Sequence, residues 1–130
     1  KVYRFRPNDP VSLGEFARMA VRGLQIPLSI TAAHFNDVPR NHVAFKYIET
    51  LYDHSTQSQE PFLDYDILRE PEKRARVLAR PDQELSSAYA TKILTGLLRK
   101  EVPSLPNSNA SLTRGEATQL IYQQIKRAAE

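Results

Sequence analysis

The residues with the clearest potential for chemistry stand at one predicted helix start, where Thr113-Arg114-Gly115-Glu116 opens an amphipathic stretch. The first N–H groups of a helix have no partners within the helix and carry a partial positive charge. A guanidinium beside them can bind a carboxylate or phosphate through parallel hydrogen bonds. Arg114 and Thr113 are therefore the candidate ligand-binding residues, and the predicted ligand is an anion. The alternative is a surface arginine that pairs with Glu116 or another acid.

The other titratable residues do not match a catalytic or metal-binding pattern. The chain has no cysteine, which excludes disulfides, thiolate metal sites and cysteine nucleophiles. Its three histidines lack the i, i+4 spacing of a helical metal pair. Asp64-Tyr65-Asp66 lacks the glycine and the final glutamate of a calcium-binding loop. We therefore expect no enzyme activity, no metal and no cofactor, and a glycosidase-like carboxylate pair is the enzymatic alternative left open.

Length, charge and hydropathy restrict the organisation and the partners of the chain. Its 130 residues predict a single domain, and 18 basic against 15 acidic residues leave a net charge of only +3. No apolar run approaches the roughly 18 residues that a membrane span needs. The densest basic cluster has no interleaved aromatic residues for base stacking, so we expect no nucleic acid. That cluster comprises Arg69, Lys73, Arg74, Arg76 and Arg80. Because the chain begins at Lys1 with no leader, residues 1–130 are expected to be part of a larger protein.

Apolar residues at steps of three and four predict four amphipathic helices, whose apolar stripes lie at residues 16–24, 43–52, 89–98 and 117–128. Strand signals are poor, because clear alternation occurs only in residues 1–5. Residues 55–59 are polar and typical of a loop. Residues 71–79 are compatible with a short charged helix that has Pro71 in its first turn. The predicted fold class is all-α with long irregular connections.

Three of these helices begin with a similar local signal. Ser12 to Glu15 and Thr113 to Glu116 both fit the S/T-x-x-E capping box. In such a box the hydroxyl accepts a hydrogen bond from the N–H three residues on, and the glutamate bonds back to the cap. Ser86 supplies a hydroxyl without the glutamate. Ser12, Glu15, Ser86 and Glu116 are therefore predicted to be structural caps. Near the second helix, Asp37 is expected to cap or brace the entering turn and His42 to make a structural hydrogen bond.

The segments before the caps also repeat, since Arg6-Pro7 and Arg80-Pro81 stand at the same distance from Ser12 and Ser86. Residues 5–19 resemble the S-layer homology (SLH) pattern F-x-P-x-x-x-[VIL]-T-R-[AG]-E-[FA]-A-x-[ML]. Residues 113–117 resemble the T-R-A/G-E-A signature of that family directly. Residues 34–44 resemble its F-x-D-V-P-x-x-H-W-A half. The resemblance covers most of the chain outside residues 54–78, where an insertion is expected.

The resemblance implies a bacterial surface module with a pseudo-threefold helical bundle. In that family the T-R-A-E helices lie at the centre and the F-x-D-V helices form prongs around them. For this chain it implies three central helices and one clear prong. The arginine of the signature is present only as Arg114, because Leu13 and Ser87 occupy the two matching positions.

The resulting hypothesis is a non-catalytic attachment module, extracellular or at the bacterial cell surface. It would bind an anionic secondary cell-wall or extracellular polysaccharide, with Arg114 contacting the acid group, and so anchor a larger protein. The alternative is a terminal structural module that packs against a catalytic domain of the same polypeptide and binds no sugar. Such a module is expected to expose a large apolar patch.

Overall fold

The computed structural model describes residues 8–69, 71, 74–103 and 109–128. Its elements are α1 (Leu13–Gly23), α2 (Phe45–Gln57), β1 (Asp66–Leu68), β2 (Arg76–Leu78), α3 (Ser87–Leu98) and α4 (Arg114–Ala128). Helix α2 extends through residues 55–57, so the loop expected there begins later. Four residues named above lie outside the described residues: Phe5, Arg6 and Pro7 of the SLH-like segment, and Lys73 of the basic cluster.

The predicted all-α class is wrong, because β1 and β2 form a two-stranded antiparallel sheet with Ile67 opposite Val77. The protein is therefore mixed α/β, and part of the segment compatible with a charged helix is strand β2. Both central residues are β-branched, which favours a pleated strand. A distant segment also holds β2 in place: the Asn36 N–H donates to the Val77 carbonyl, and the Asn36 side-chain carbonyl accepts from the Val77 N–H, both at 2.7 Å. Local sequence pattern carries no information about such a contact.

Helices α1, α3 and α4 begin around a closed cycle of backbone hydrogen bonds. The Val11 N–H donates to the Leu112 carbonyl (2.9 Å), Leu112 donates to Leu85 (2.7 Å), and Leu85 donates to Val11 (2.9 Å). We call these three residues the triad ring. Each precedes a cap residue, and each is at most 1% exposed. The apolar residue before each cap therefore belongs to the centre of the molecule.

A second set of hydrogen bonds repeats this cyclic relation. In each bond, the N–H of the first residue of one helix donates to a backbone carbonyl in the segment before another helix. The accepting residue lies three positions before the cap of that other helix. These bonds are Leu13 to Gln83 (3.2 Å), Ser87 to Ala110 (3.1 Å) and Arg114 to Asp9 (2.9 Å). The three relations are equivalent in position, so an approximate threefold axis relates the three helix starts. As a result, the start of α4 lies against the segment that leads into α1.

Helix α2 lies outside this cycle and packs against α1 and α3. Its inner face contributes Ile48 and Leu51, which are fully buried. Buried Glu49 fastens the preceding loop, because its carboxylate accepts from the His34 N–H at 2.9 Å and lies 2.6 Å from the His34 ring nitrogen Nδ1. The same core cluster contains residues of all four helices.

Tyr89 of α3 connects that helix to the segment before β1, because its hydroxyl accepts a hydrogen bond from the Asp64 N–H at 2.8 Å. Burial raises the pKa of the Tyr89 phenol well above its ordinary value of 10.0.

The unfolded chain releases the Tyr89 proton at the ordinary pKa, so the free energy of unfolding should fall as the pH rises above about 10. Denaturant titrations across this pH range should show that the free energy of unfolding falls less steeply with pH for Tyr89→Phe than for the wild type. Equal slopes for the two proteins would contradict this role of Tyr89.

Candidate anion-binding site at the start of α4

The first turn of α4 satisfies most of its own backbone donors. The Glu116 N–H donates to the Thr113 hydroxyl (3.1 Å), and the Thr113 N–H donates to the Glu116 carboxylate (3.0 Å), which forms a capping box. The Arg114 N–H donates to the Asp9 carbonyl at 2.9 Å. The Gly115 N–H has no hydrogen-bond partner among residues that the structure describes. Among the described residues, one backbone donor beside Arg114 thus has no acceptor.

The Arg114 guanidinium pairs with Glu15 of α1, at 3.0 Å between Nη2 and Oε2. The other carboxylate oxygen of Glu15 lies 3.2 Å from the Ser12 nitrogen and 3.1 Å from the Ser12 hydroxyl, and the Glu15 N–H donates to that hydroxyl at 3.2 Å. Glu15 thus completes the cap of α1 with one oxygen and contacts Arg114 with the other. The acid that pairs with Arg114 comes from a different helix, not from Glu116 of α4.

This ion pair is partly open to solvent, since the side chains of Arg114 and Glu15 are 36% and 41% exposed. Exposed pairs contribute only about 0–1 kcal/mol to stability. A guanidinium has five N–H donors, and Glu15 engages one end of it. A second carboxylate can therefore bind the remaining guanidinium donors, in competition with the Glu15 charge.

The three helix starts are alike in backbone position but differ in chemistry. Leu13 of α1 and Ser87 of α3 occupy the position that Arg114 has in α4. At α1 the next N–H, that of Gly14, donates to the Pro81 carbonyl at 2.9 Å. At α4 the arginine is present and no described residue accepts from the N–H that follows it, whereas α1 has a leucine there and a bonded N–H.

The remaining residues singled out in the sequence have structural contacts. The Ser86 hydroxyl accepts from the Tyr89 N–H at 3.1 Å, which caps α3. The His42 ring accepts from the Ala44 N–H at 3.0 Å, just before α2. Asp37 does not cap α2, whose first turn has no side-chain cap. Its carboxylate instead accepts from the N–H groups of residues 79 and 80, at 3.0 and 2.8 Å.

Metal-binding clusters and membrane-spanning helices are both absent from the described ranges. These ranges contain no group of three or more histidine, aspartate or glutamate side chains that could hold a metal ion. No helix within them is long and apolar enough to cross a bilayer.

No family model matches the sequence, and no curated protein or solved structure is similar enough to count as a match.

Proposed function

We propose that this chain is a non-catalytic attachment module that binds an anionic cell-wall or extracellular polysaccharide. In this role it holds a larger bacterial protein at the cell surface. The observation that carries the proposal is the partly exposed Arg114 guanidinium at the N-terminus of α4, beside a Gly115 N–H for which no described residue is an acceptor. The SLH-like motifs of the sequence support a cell-wall polymer as the source of the anion.

The chemistry of the site favours a carboxylate as the group that is bound. Glu15 already presents a carboxylate to Arg114 at 3.0 Å, so the guanidinium geometry is compatible with an acid group on a ligand. Arginine binds carboxylates through two parallel hydrogen bonds, and a helix N-terminus adds a favourable field for an anion. Uronic acids and pyruvylated sugars both offer such a group.

A single half-exposed arginine supports only modest affinity, and a polymer overcomes this limitation. A polysaccharide repeats its acid group along the chain, so one released contact is followed by rebinding at a high effective concentration. Attachment to a cell wall needs this kind of avidity rather than a deep pocket. The proposal is therefore consistent with a shallow site.

The direct test is retention of the purified chain on immobilised polysaccharides. We expect retention on a polyuronate and on a pyruvylated polymer, and none on a neutral dextran of similar size. Added salt should release the protein, because salt screens contacts between exposed charges. Retention on dextran, or flow-through on both acidic polymers, would contradict the proposal.

A second candidate function is that of a structural module that packs against a neighbouring domain of the same polypeptide. The observation that favours it is an apolar surface on α4, where Tyr122 is 61% exposed and Ile125, three residues on, is 41% exposed. Flow-through on both acidic polymers, together with a loss of stability of the longer polypeptide on Tyr122→Ala, would favour this function instead.

A further inference from the structure

A cavity of about 310 Å³ lies between the β1–β2 hairpin and the starts of α1 and α3. This volume corresponds to roughly ten water molecules, which is enough for one sugar ring. Leu13, Leu78 and Leu85 give it apolar walls. Its polar lining residues include Asp64, Asp66, Arg80, Glu84 and Ser86, together with the two tyrosines Tyr65 and Tyr89. An apolar cavity with a few convergent polar groups is the usual form of a small-ligand site.

Three carboxylates line this cavity, those of Asp64, Asp66 and Glu84. Two of the three carboxylates have a cationic partner: the Arg80 Nε lies 2.5 Å from the Asp66 Oδ2, and the Lys92 Nζ lies 2.8 Å from the Asp64 Oδ1. Glu84 accepts a hydrogen bond from the Ser111 hydroxyl at 2.8 Å and has no cationic partner among residues with described positions. Glu84 can therefore pair with a positively charged group on a ligand, in contrast to the Arg114 site.

An aromatic ring is held at the cavity by neighbouring rings. Tyr65 is 45% exposed. Its ring packs edge-on against Phe35 with centroids 5.8 Å apart, and lies 6.3 Å from the ring of Tyr52. These contacts restrict the orientation of Tyr65 before a ligand arrives. An exposed and oriented tyrosine ring can stack on a ligand ring and attract a nearby cation.

The backbone beside the cavity is also fixed in advance. Arg80 has a positive φ of 59°, which is unfavourable for a residue with a side chain. Gln25 and Arg99 also have positive φ, but they follow the ends of α1 and α3, where this conformation is common. At Arg80 the conformation is held by Asp37, which accepts the N–H groups of Ala79 and Arg80. The backbone at Arg80 therefore already has its conformation before a ligand binds.

We infer that this cavity binds a sugar unit that carries a protonated amine. The sugar ring stacks on Tyr65, the ammonium group contacts the Glu84 carboxylate, and hydroxyl groups donate to the Asp66 carboxylate. This site is separate from Arg114 and selects the opposite charge, so it can exist whether or not the attachment function holds. The net charge of +3 repels a cationic oligosaccharide in general, so saturable binding must come from a local site.

The experiment is a calorimetric titration of β-1,4-linked glucosamine trimer at mildly acidic pH, with the N-acetylated trimer as the uncharged comparison. We expect the amino trimer to saturate one site and the N-acetylated trimer to bind about tenfold more weakly, because it lacks the charged hydrogen bond. Glu84→Gln keeps the side-chain shape and should weaken binding of the amino trimer by a similar factor.

Three further variants test whether the cavity itself holds the amino trimer. Tyr65→Ala should weaken binding about threefold to tenfold through loss of stacking. Tyr122→Ala removes a more exposed tyrosine from α4, and Arg114→Ala alters the other site, so both should bind like the wild type. The inference is overturned if the wild type shows no saturable binding, if both trimers bind equally, or if Glu84→Gln binds like the wild type.

Discussion

Leu85→Ala is expected to lower the free energy of unfolding by about 2–5 kcal/mol, the range for deleting a buried leucine side chain. Leu85 is 1% exposed and lies in the triad ring, between Val11 and Leu112. Three helix starts enclose this position, so the surrounding backbone cannot collapse into the cavity without breaking the cyclic hydrogen bonds. The loss should therefore lie toward the upper part of the range. Urea denaturation followed by circular dichroism measures it.

Leu28→Ala is the matched control, because Leu28 is 49% exposed and lies in the loop after α1. This variant should change the free energy of unfolding by no more than about 0.5 kcal/mol.

The loss of unfolding free energy in the double variant Val11→Ala/Leu85→Ala should differ from the sum of the two single losses by about 0.5–3 kcal/mol, because the two side chains share one core. A small effect of Leu85→Ala, or full additivity, would show that the triad ring is not the structural centre.

Arg114→Ala is expected to weaken binding of an acidic oligosaccharide by about tenfold or more, the usual consequence of losing hydrogen bonds from a charged group. The variant should fold normally. Its ion pair with Glu15 is exposed and contributes little. A cation in the first turn of a helix also opposes the helix dipole. Arg127→Ala removes the same charge from the last turn of α4 and should bind like the wild type.

Glu15→Gln should have the opposite effect on binding. The glutamine oxygen can still accept from Ser12, so the cap of α1 is retained, while the charge that competes for Arg114 is removed. The expected gain in affinity is up to about fivefold, which corresponds to an exposed ion pair. Glu101→Gln, a change of the same kind at an exposed position, should leave the affinity unchanged.

Local signals in the sequence account for the helix starts. A capping box depends on residues only three positions apart, so Ser12 with Glu15 and Thr113 with Glu116 could be identified without knowledge of the fold. The helical stripes are also local, because one face of a helix repeats every three to four residues. These features are sufficient to place Arg114 in the first turn of α4.

Contacts between distant segments account for what the sequence did not predict. The three-residue strand β2 depends on Asn36, which precedes it by about forty residues, and short strands have little local signal of their own. For the same reason, Asp37 was expected near α2 but bonds to residues 79 and 80. Glu15 could be recognised as a cap, yet its contact with Arg114 joins opposite ends of the chain.

The most direct test of the attachment function is the affinity of a short oligouronate for the wild type, Glu15→Gln and Arg114→Ala, compared at one low salt concentration. The Arg114 site requires the tightest binding by Glu15→Gln, intermediate binding by the wild type and the weakest by Arg114→Ala. Equal affinities for the wild type and Arg114→Ala would contradict it.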